Sequence, residues 1–220
     1  MKSRKAFNGA AVCIALLPLA LPLEAIAAKR DMPNSMVGDF EASEGREFME
    51  ICKRLNMPGV LEYNDVDRME ISWDAPHFIT KGKRAHELLD AIVDRYPTFE
   101  WDFKNGVLVM RPKHAPKDRE DILARKIDLS ITDSTGLVAA KAVLRAGRIS
   151  TEHYEFMGAL FKKVSINFQQ VTVREALQAI ARLEGQAAWR ISVRNDPDGA
   201  VVLSYYSWRK IGVSSGKPYR

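Results

Sequence analysis

Residues 164–208, VSINFQQVTVREALQAIARLEGQAAWRISVRNDPDGAVVLSYYSW, decide the fold. Val164, Ile166 and Phe168 alternate as a half-buried strand. Thr172 and Glu175 form a capping box, each side chain answering a backbone amide that the first helical turn leaves without a partner. Val173, Ala176, Leu177 and Ile180 then draw one apolar stripe, and Gly185 ends the helix. Trp189, Ile191 and Val193 make a second strand, 195–199 a turn, and Val201 to Trp208 a returning strand. The order is β-α-β-β.

Much of this stretch occurs earlier in the chain. Leu177, Ala179, Ile180 and Trp189 repeat Leu89, Ala91, Ile92 and Trp101, each 88 residues away and without a gap. In the earlier copy Ala85, Leu88, Leu89, Ile92 and Val93 form the buried stripe, while Arg84, Glu87, Asp90 and Asp94 face water. Phe99, Trp101 and Phe103 alternate inward, and Asn105-Gly106 turns the chain into Val107–Met110, because both turn residues accept positive φ. The paired anchors expected in the two cores are Leu89, Ile92 and Trp101 against Leu177, Ile180 and Trp189. A partial third copy lies 37 residues before the last one: Ile127, Leu129 and Ile131 fall on Val164, Ile166 and Phe168, and Thr135 on Thr172. The expected fold is α+β, built from repeated small β-α-β-β units in two lobes whose antiparallel or mixed sheets pack on amphipathic helices.

Further elements complete the reading. A helix is expected over about 44–55, short strands over 60–63 and 69–73, and a short helix over 151–161 that packs Phe156, Met157 and Leu160. Residues 113–121, rich in charge and carrying Pro116, read as a linker between lobes at 28–112 and 122–208, with a basic flexible tail at 209–220.

The first 27 residues read as a signal peptide: Lys2, Arg4 and Lys5 precede the apolar run Ala10–Leu23, and Ala25-Ile26-Ala27 is a small-x-small cleavage site, with cutting after Ala27 or Ala28. A membrane anchor is the alternative, but Pro18 and Pro22 interrupt a run shorter than the roughly 20 residues a span needs. The expectation is a periplasmic or secreted protein with no integral membrane segment in its mature chain. Removing residues 1–27 takes away three basic side chains and Glu24, lowering the net charge from +5 to +3. With acids and bases interleaved, nucleic acid is not an expected partner. Only Cys52 remains, so no internal disulfide forms; it reads as a packed core thiol, with a reactive thiol as the alternative.

The stretch from Val164 to Ile180 resembles the short N-terminal domain shared by secretins and TonB-dependent receptors, where an alternating strand leads into a capped helix of the type "plxeALxxL". The resemblance extends more weakly over residues 71–110, and the chain as a whole is similar to exported bacterial proteins. It implies a small β-α-β sandwich used for docking inside the bacterial envelope. A secretin would continue into a pore-forming region and a receptor into a plug and barrel. The sequence ends at Arg220, so pore and transport functions are not carried over.

Motifs of catalysis give way to structural readings. His86-Glu87-Leu88-Leu89-Asp90 lacks the second histidine of a zinc helix, and its leucines belong to the buried stripe. Asp196-Pro197-Asp198-Gly199 has the chemistry of a turn and lacks the later glutamate of a calcium loop. No catalytic residue, metal set or cofactor is assigned. Tyr205, Tyr206 and Trp208 are the candidate binding residues: Tyr206 and Trp208 share one strand face and Tyr205 lies on the other. Core packing and an exposed docking edge both fit them. The function expected is a non-enzymatic module that binds an envelope protein, with a hydrolase on envelope material or a carbohydrate-binding module as alternatives.

Overall fold

The protein is described by a computed structural model covering residues 35–42, 46–64, 78–80, 82–114, 120–157, 162–194 and 200–208. It is an α+β fold with mixed sheets packed on amphipathic helices. Its elements are β1 (Phe40–Ala42), α1 (Glu47–Leu55), β2 (Gly59–Asn64), β3 (Phe78–Thr80), α2 (Ala85–Arg95), β4 (Phe99–Lys104) and β5 (Val107–Pro112). There follow β6 (Lys126–Thr135), α3 (Gly136–Ala146), β7 (Thr151–Met157), β8 (Lys163–Thr172), α4 (Val173–Glu184), β9 (Ala187–Val193) and β10 (Val201–Ser207).

Both halves therefore run β-α-β-β-α-β-β, a larger repeat than the β-α-β-β visible in the sequence. The pairing repeats as well. β1 lies antiparallel to β3 as β6 does to β8; β4 and β9 are antiparallel to β5 and β10; β5 and β10 are parallel to β2 and β7. One difference joins the halves: β2 pairs in parallel with β9, Val60 opposite Trp189, so that one sheet runs β4-β5-β2-β9-β10-β7. Reading along this sheet, the second half meets each strand type in the same order but with its direction reversed. That is a half-turn about an in-plane axis across the strands, plus a shift along that axis.

The half-turn puts the helices on opposite faces. Leu61, Leu108, Met110, Phe99 and Trp101 point to α1 and α2 and form one core with Phe48, Ile51, Leu88, Leu89 and Ile92. Val60, Val107, Val109, Trp189, Ile191, Leu203 and Tyr205 point the other way, into a core with Val143, Leu144, Leu177 and Ile180 of α3 and α4. Alternate residues of one strand thus serve two cores, as the period of two requires. Cys52 is fully buried beneath Gly59, where a Cβ would overlap its Sγ, and burial pushes the thiol far up. The core reading holds.

The partial copy at offset 37 is a local two-fold. Ser130 pairs with Asn167, and on either side Leu129↔Phe168 mirrors Ile131↔Ile166. Ile127 and Val164 are buried at equivalent positions, as are Ile131 and Phe168. Asp133 and Gln170 both take positive φ, 47° and 51°, and each donates its N–H to the equivalent side chain of the partner strand, Ser165 Oγ at 2.9 Å and Asp128 Oδ1 at 2.7 Å. The helix ends obey the same operation: a Cβ on Gly136 would overlap the Glu184 carboxylate, and one on Gly147 would lie 2.6 Å from Val173 Cγ2.

One sequence expectation is corrected. Residues 151–157 are not helical but form strand β7, parallel to β10. The spacing of Phe156 and Leu160 fits a helix, but Tyr154 and Phe156 also fit a strand, and pairing with β10 decides between them. The strand expected at 69–73, the turn at 195–199 and the tail lie outside the described residues. So does most of the linker. The hairpin at Asn105-Gly106 forms as expected, with φ of 54° and 78°, and so does the Thr172–Glu175 capping box, with Thr172 N–H to Glu175 Oε2 at 2.9 Å and Glu175 N–H to Thr172 Oγ1 at 3.1 Å.

Candidate functional site

Two features stand out: the ends of the six-stranded sheet and a polar cleft where the halves meet. At the sheet ends, β4 and β7 each have a single strand neighbour among the described residues. The hairpin closes on Lys104 opposite Val107, so Lys104, Asp102 and Glu100 exchange hydrogen bonds with β5. The bond from Lys113 N–H to Thr98 O at 2.8 Å keeps the same parity. The backbone groups of Trp101 and Phe103 consequently point away from β5. Charges at Glu100, Asp102 and Lys104 along this strand are the usual guard on such an edge; Glu100 bonds Arg111 Nε at 2.9 Å.

The cleft, of about 260 Å³, is lined by Glu62, Asp121, Arg174, Arg111, His114 and Glu120 among others. Glu62 sits on β2 between Leu61 and Tyr63 and is only 3% exposed. Arg174, the second residue of α4, forks across it: Nε donates to Glu62 Oε2 at 2.8 Å and Nη2 to Asp121 Oδ2 at 3.0 Å. Burial pushes the Glu62 carboxyl up, against the opposing pull of the Arg174 guanidinium. Burial acts to lower Arg174, but the two carboxylates outweigh it and its net shift is upward. Asp121 also caps the short 3-10 turn at 122–124, accepting from Leu123 N–H at 3.1 Å. The triad ties β2 of one half to α4 of the other and to the segment between them. Beside the cleft, Arg125 bonds Glu120 and also the carbonyls of Gly147 and Arg148.

The three aromatic candidates separate. Tyr205 is 3% exposed and packs on Trp189, ring centroids 4.6 Å apart; it belongs to the core. Tyr206 is half-buried on the opposite face, with the Arg190 guanidinium 6.0 Å from its ring and 5.9 Å from that of Tyr63. Trp208 is half-buried too, and its Nε1 donates to Asn56 Oδ1 at 3.2 Å, pinning the end of β10 to the end of α1. Arg190 reaches Ser204 Oγ at 3.2 Å. Leu89, Ile92, Leu177, Ile180, Trp101 and Trp189 are all buried. His86 is half-buried in the first turn of α2, near exposed Arg84 and Glu87. Among the described residues no three His, Cys, Asp or Glu side chains come together as a metal site, and no described helix is long and apolar enough to cross a membrane.

Sequence reasoning missed the triad, since Glu62 and Arg174 are 112 residues apart. A signal was present: a lone acid in the apolar strand Val60-Leu61-Glu62-Tyr63 must find a partner if that strand is central. No family model, no curated protein and no solved structure matches this chain.

Proposed function

We propose that this chain is an exported, non-enzymatic assembly module of the bacterial envelope that binds protein partners by strand addition at its sheet edges. The observation that carries the reading is the β2·β9 junction: one half already recruits the other by parallel strand pairing, and β4, with a single strand neighbour among the described residues, is of the type that β9 presents to β2. The resemblance to the docking domain of secretins and TonB-dependent receptors supports it, as does the arrangement of α3 and α4 between the β6–β8 pair and the larger sheet. The apolar segment before Ala27 supports export. The test is affinity capture from envelope extract with the wild-type chain and with Phe103→Pro, which removes an amide of β4 that points away from β5 without touching one bonded to β5. Partners lost with the variant, in protein that keeps its circular dichroism, are the expected result. An unchanged set of partners would refute edge binding.

A second reading rests on the cleft. A buried carboxyl whose pKa is raised, close to Asp121 and Arg174 and in a cavity shared with His114, is a constellation that hydrolases use. We favour a structural role, because both outer carboxylates are engaged by one guanidinium that bridges the halves. Turnover on a panel of envelope esters, amides and glycosides that disappears in Glu62→Gln would reverse that preference.

A further inference from the structure

We infer that the partner at the β4 edge is a second copy of this chain, whose β7 adds to β4 in parallel and so continues the sheet from molecule to molecule. This rests on the strand-addition reading above and names its partner. The register follows from the repeat. Trp101 faces Met110 as Trp189 faces Tyr205, so β4 corresponds to β9 and β5 to β10. Gly59 faces Leu108 as Tyr154 faces Leu203, so β2 corresponds to β7 with Gly59 equivalent to Tyr154. Inside the chain a β2-type strand joins a β9-type strand, with Gly59 opposite Ala188 and Leu61 opposite Arg190. Among the described residues the two strands at the ends of the sheet are β7, of the first type, and β4, of the second. Carrying the internal register across places Tyr154 of one copy opposite Glu100 of the next, and Phe156 opposite Asp102.

Direction and faces agree with this continuation. β7 runs as β10 does and opposite to β9; since β9 runs parallel to β2, the half-turn relation carries over to a third unit without a change of rule. Within the chain, α4 of the second half covers the far face of β2 and β5, burying Val107 and Val109. Their equivalents on β10 are Val202 and Ser204, with Tyr206 in place of Arg111. Ser204 is already buried within one chain, whereas Val202 and Tyr206 are only half-buried, and the next copy's α2, the counterpart of α4, would lie over them. The contact is heterologous, and two successive half-turns leave a plain translation along the sheet from copy to copy, so it does not close on itself; it builds an open array.

The external junction is the weaker of the two, for a reason that can be read from one pair. Ala188 is fully buried in the internal junction, whereas its equivalent at the free edge is Glu100, whose charge would have to be covered. Assembly is therefore expected only at raised local concentration, and Glu100→Ala should tighten it by about tenfold, the effect of removing one modest desolvation cost.

Sedimentation velocity of the exported chain over a concentration series tests the array. The expected result is species that grow past two copies, at lower concentration for Glu100→Ala than for wild type. Register is tested with Asp102→Cys and Phe156→Cys, mixed and separately, under oxidising conditions in which Cys52 stays buried. A disulfide dimer should form in the mixture and in neither variant alone. Assembly that stops at two copies, or a dimer in either single-variant sample, overturns the inference. If wild type and Glu100→Ala both remain monomeric while an envelope protein still cross-links through residue 102, the second-copy inference fails and the protein-binding reading stands. If residue 102 cross-links to neither, both fail.

Discussion

The two halves share element order and strand pairing, yet they fill equivalent places with different chemistry. Where the first helix of each half begins and the second ends, Glu47 opens α1 and meets Arg95 at the end of α2, Nη1 to Oε1 3.5 Å. Each charge there suits the helix end that carries it. In the second half that corner holds Gly136 and Glu184: the acid comes from the end of α4, and glycine leaves room for it at the start of α3. The tryptophans diverge likewise. Trp101 Nε1 donates to Asp90 Oδ1 at 2.8 Å, while Trp189, whose helix offers Gln178 in place of Asp90, has no partner for Nε1 among the described residues. Backbone course and close approach are what the repeat preserves. Polar partners are free to change, because each costs or gains little beside the apolar burial that fixes the fold.

The largest test of this comparison is at the anchors. Trp189 is 1% exposed on a central strand facing α4, and Trp101 is 4% exposed on the sheet's last strand. Replacing a buried tryptophan by alanine costs about 3–5 kcal/mol. Trp189→Ala should fall at the upper end and Trp101→Ala lower, since relaxation is easier at an edge. Urea denaturation of both variants decides it; an equal or reversed order would show that position in the sheet does not govern the two anchors.

The triad joining the halves comes next. Arg174→Ala leaves Glu62 buried without its cation and should destabilise by about 3–5 kcal/mol, whereas Arg174→Met with Glu62→Leu should lie near wild type. If the double variant is as unstable as the single one, the triad is more than a bridge.

The local two-fold can be broken unevenly. Gly147→Ala drives a methyl against the stiff, β-branched Val173 and should cost about 1–3 kcal/mol through overpacking. Gly136→Ala meets only the end of the longer Glu184 side chain, which is able to turn aside, and should cost less. Thermal melts of the two variants rank them.

The smallest difference lies in the helix caps. Thr172→Ala should cost about 1 kcal/mol. Thr135→Ala should cost less, because its bond to Val138 N–H is longer at 3.4 Å and no acid answers it from the third helical position. The Thr172 amide, then its hydroxyl, hold Glu175 below its ordinary value of 4.5. A lowered folded pKa contributes stability that is present above the unfolded value and lost as pH falls through the folded one. The stability gap between wild type and Glu175→Gln should accordingly close as the solution is acidified below about pH 4.5, and a gap that widens there would contradict the assignment.

What the sequence determined by itself is local and periodic. The capping box at Thr172, the turn at Asn105-Gly106 and the stripes of α2 and α4 are written in neighbouring residues, where spacing alone decides which side chains share a face. So is the correspondence of Trp101 with Trp189, since a copied unit keeps its apolar pattern. Tertiary structure decided what neighbouring residues cannot express. Residues 151–157 are a strand because β10 offers them a partner, not because their own pattern excludes a helix. Glu62 is tolerated in a central strand because Arg174 reaches it from the other half. Tyr205 lies inside and Tyr206 half outside because α3 and α4 cover one face of β10, and a strand's period of two sends adjacent residues to opposite faces. Above all, the union of two repeats into one sheet, with helices on opposite sides, depends on β2 meeting β9, a pairing between backbones that no side-chain pattern records.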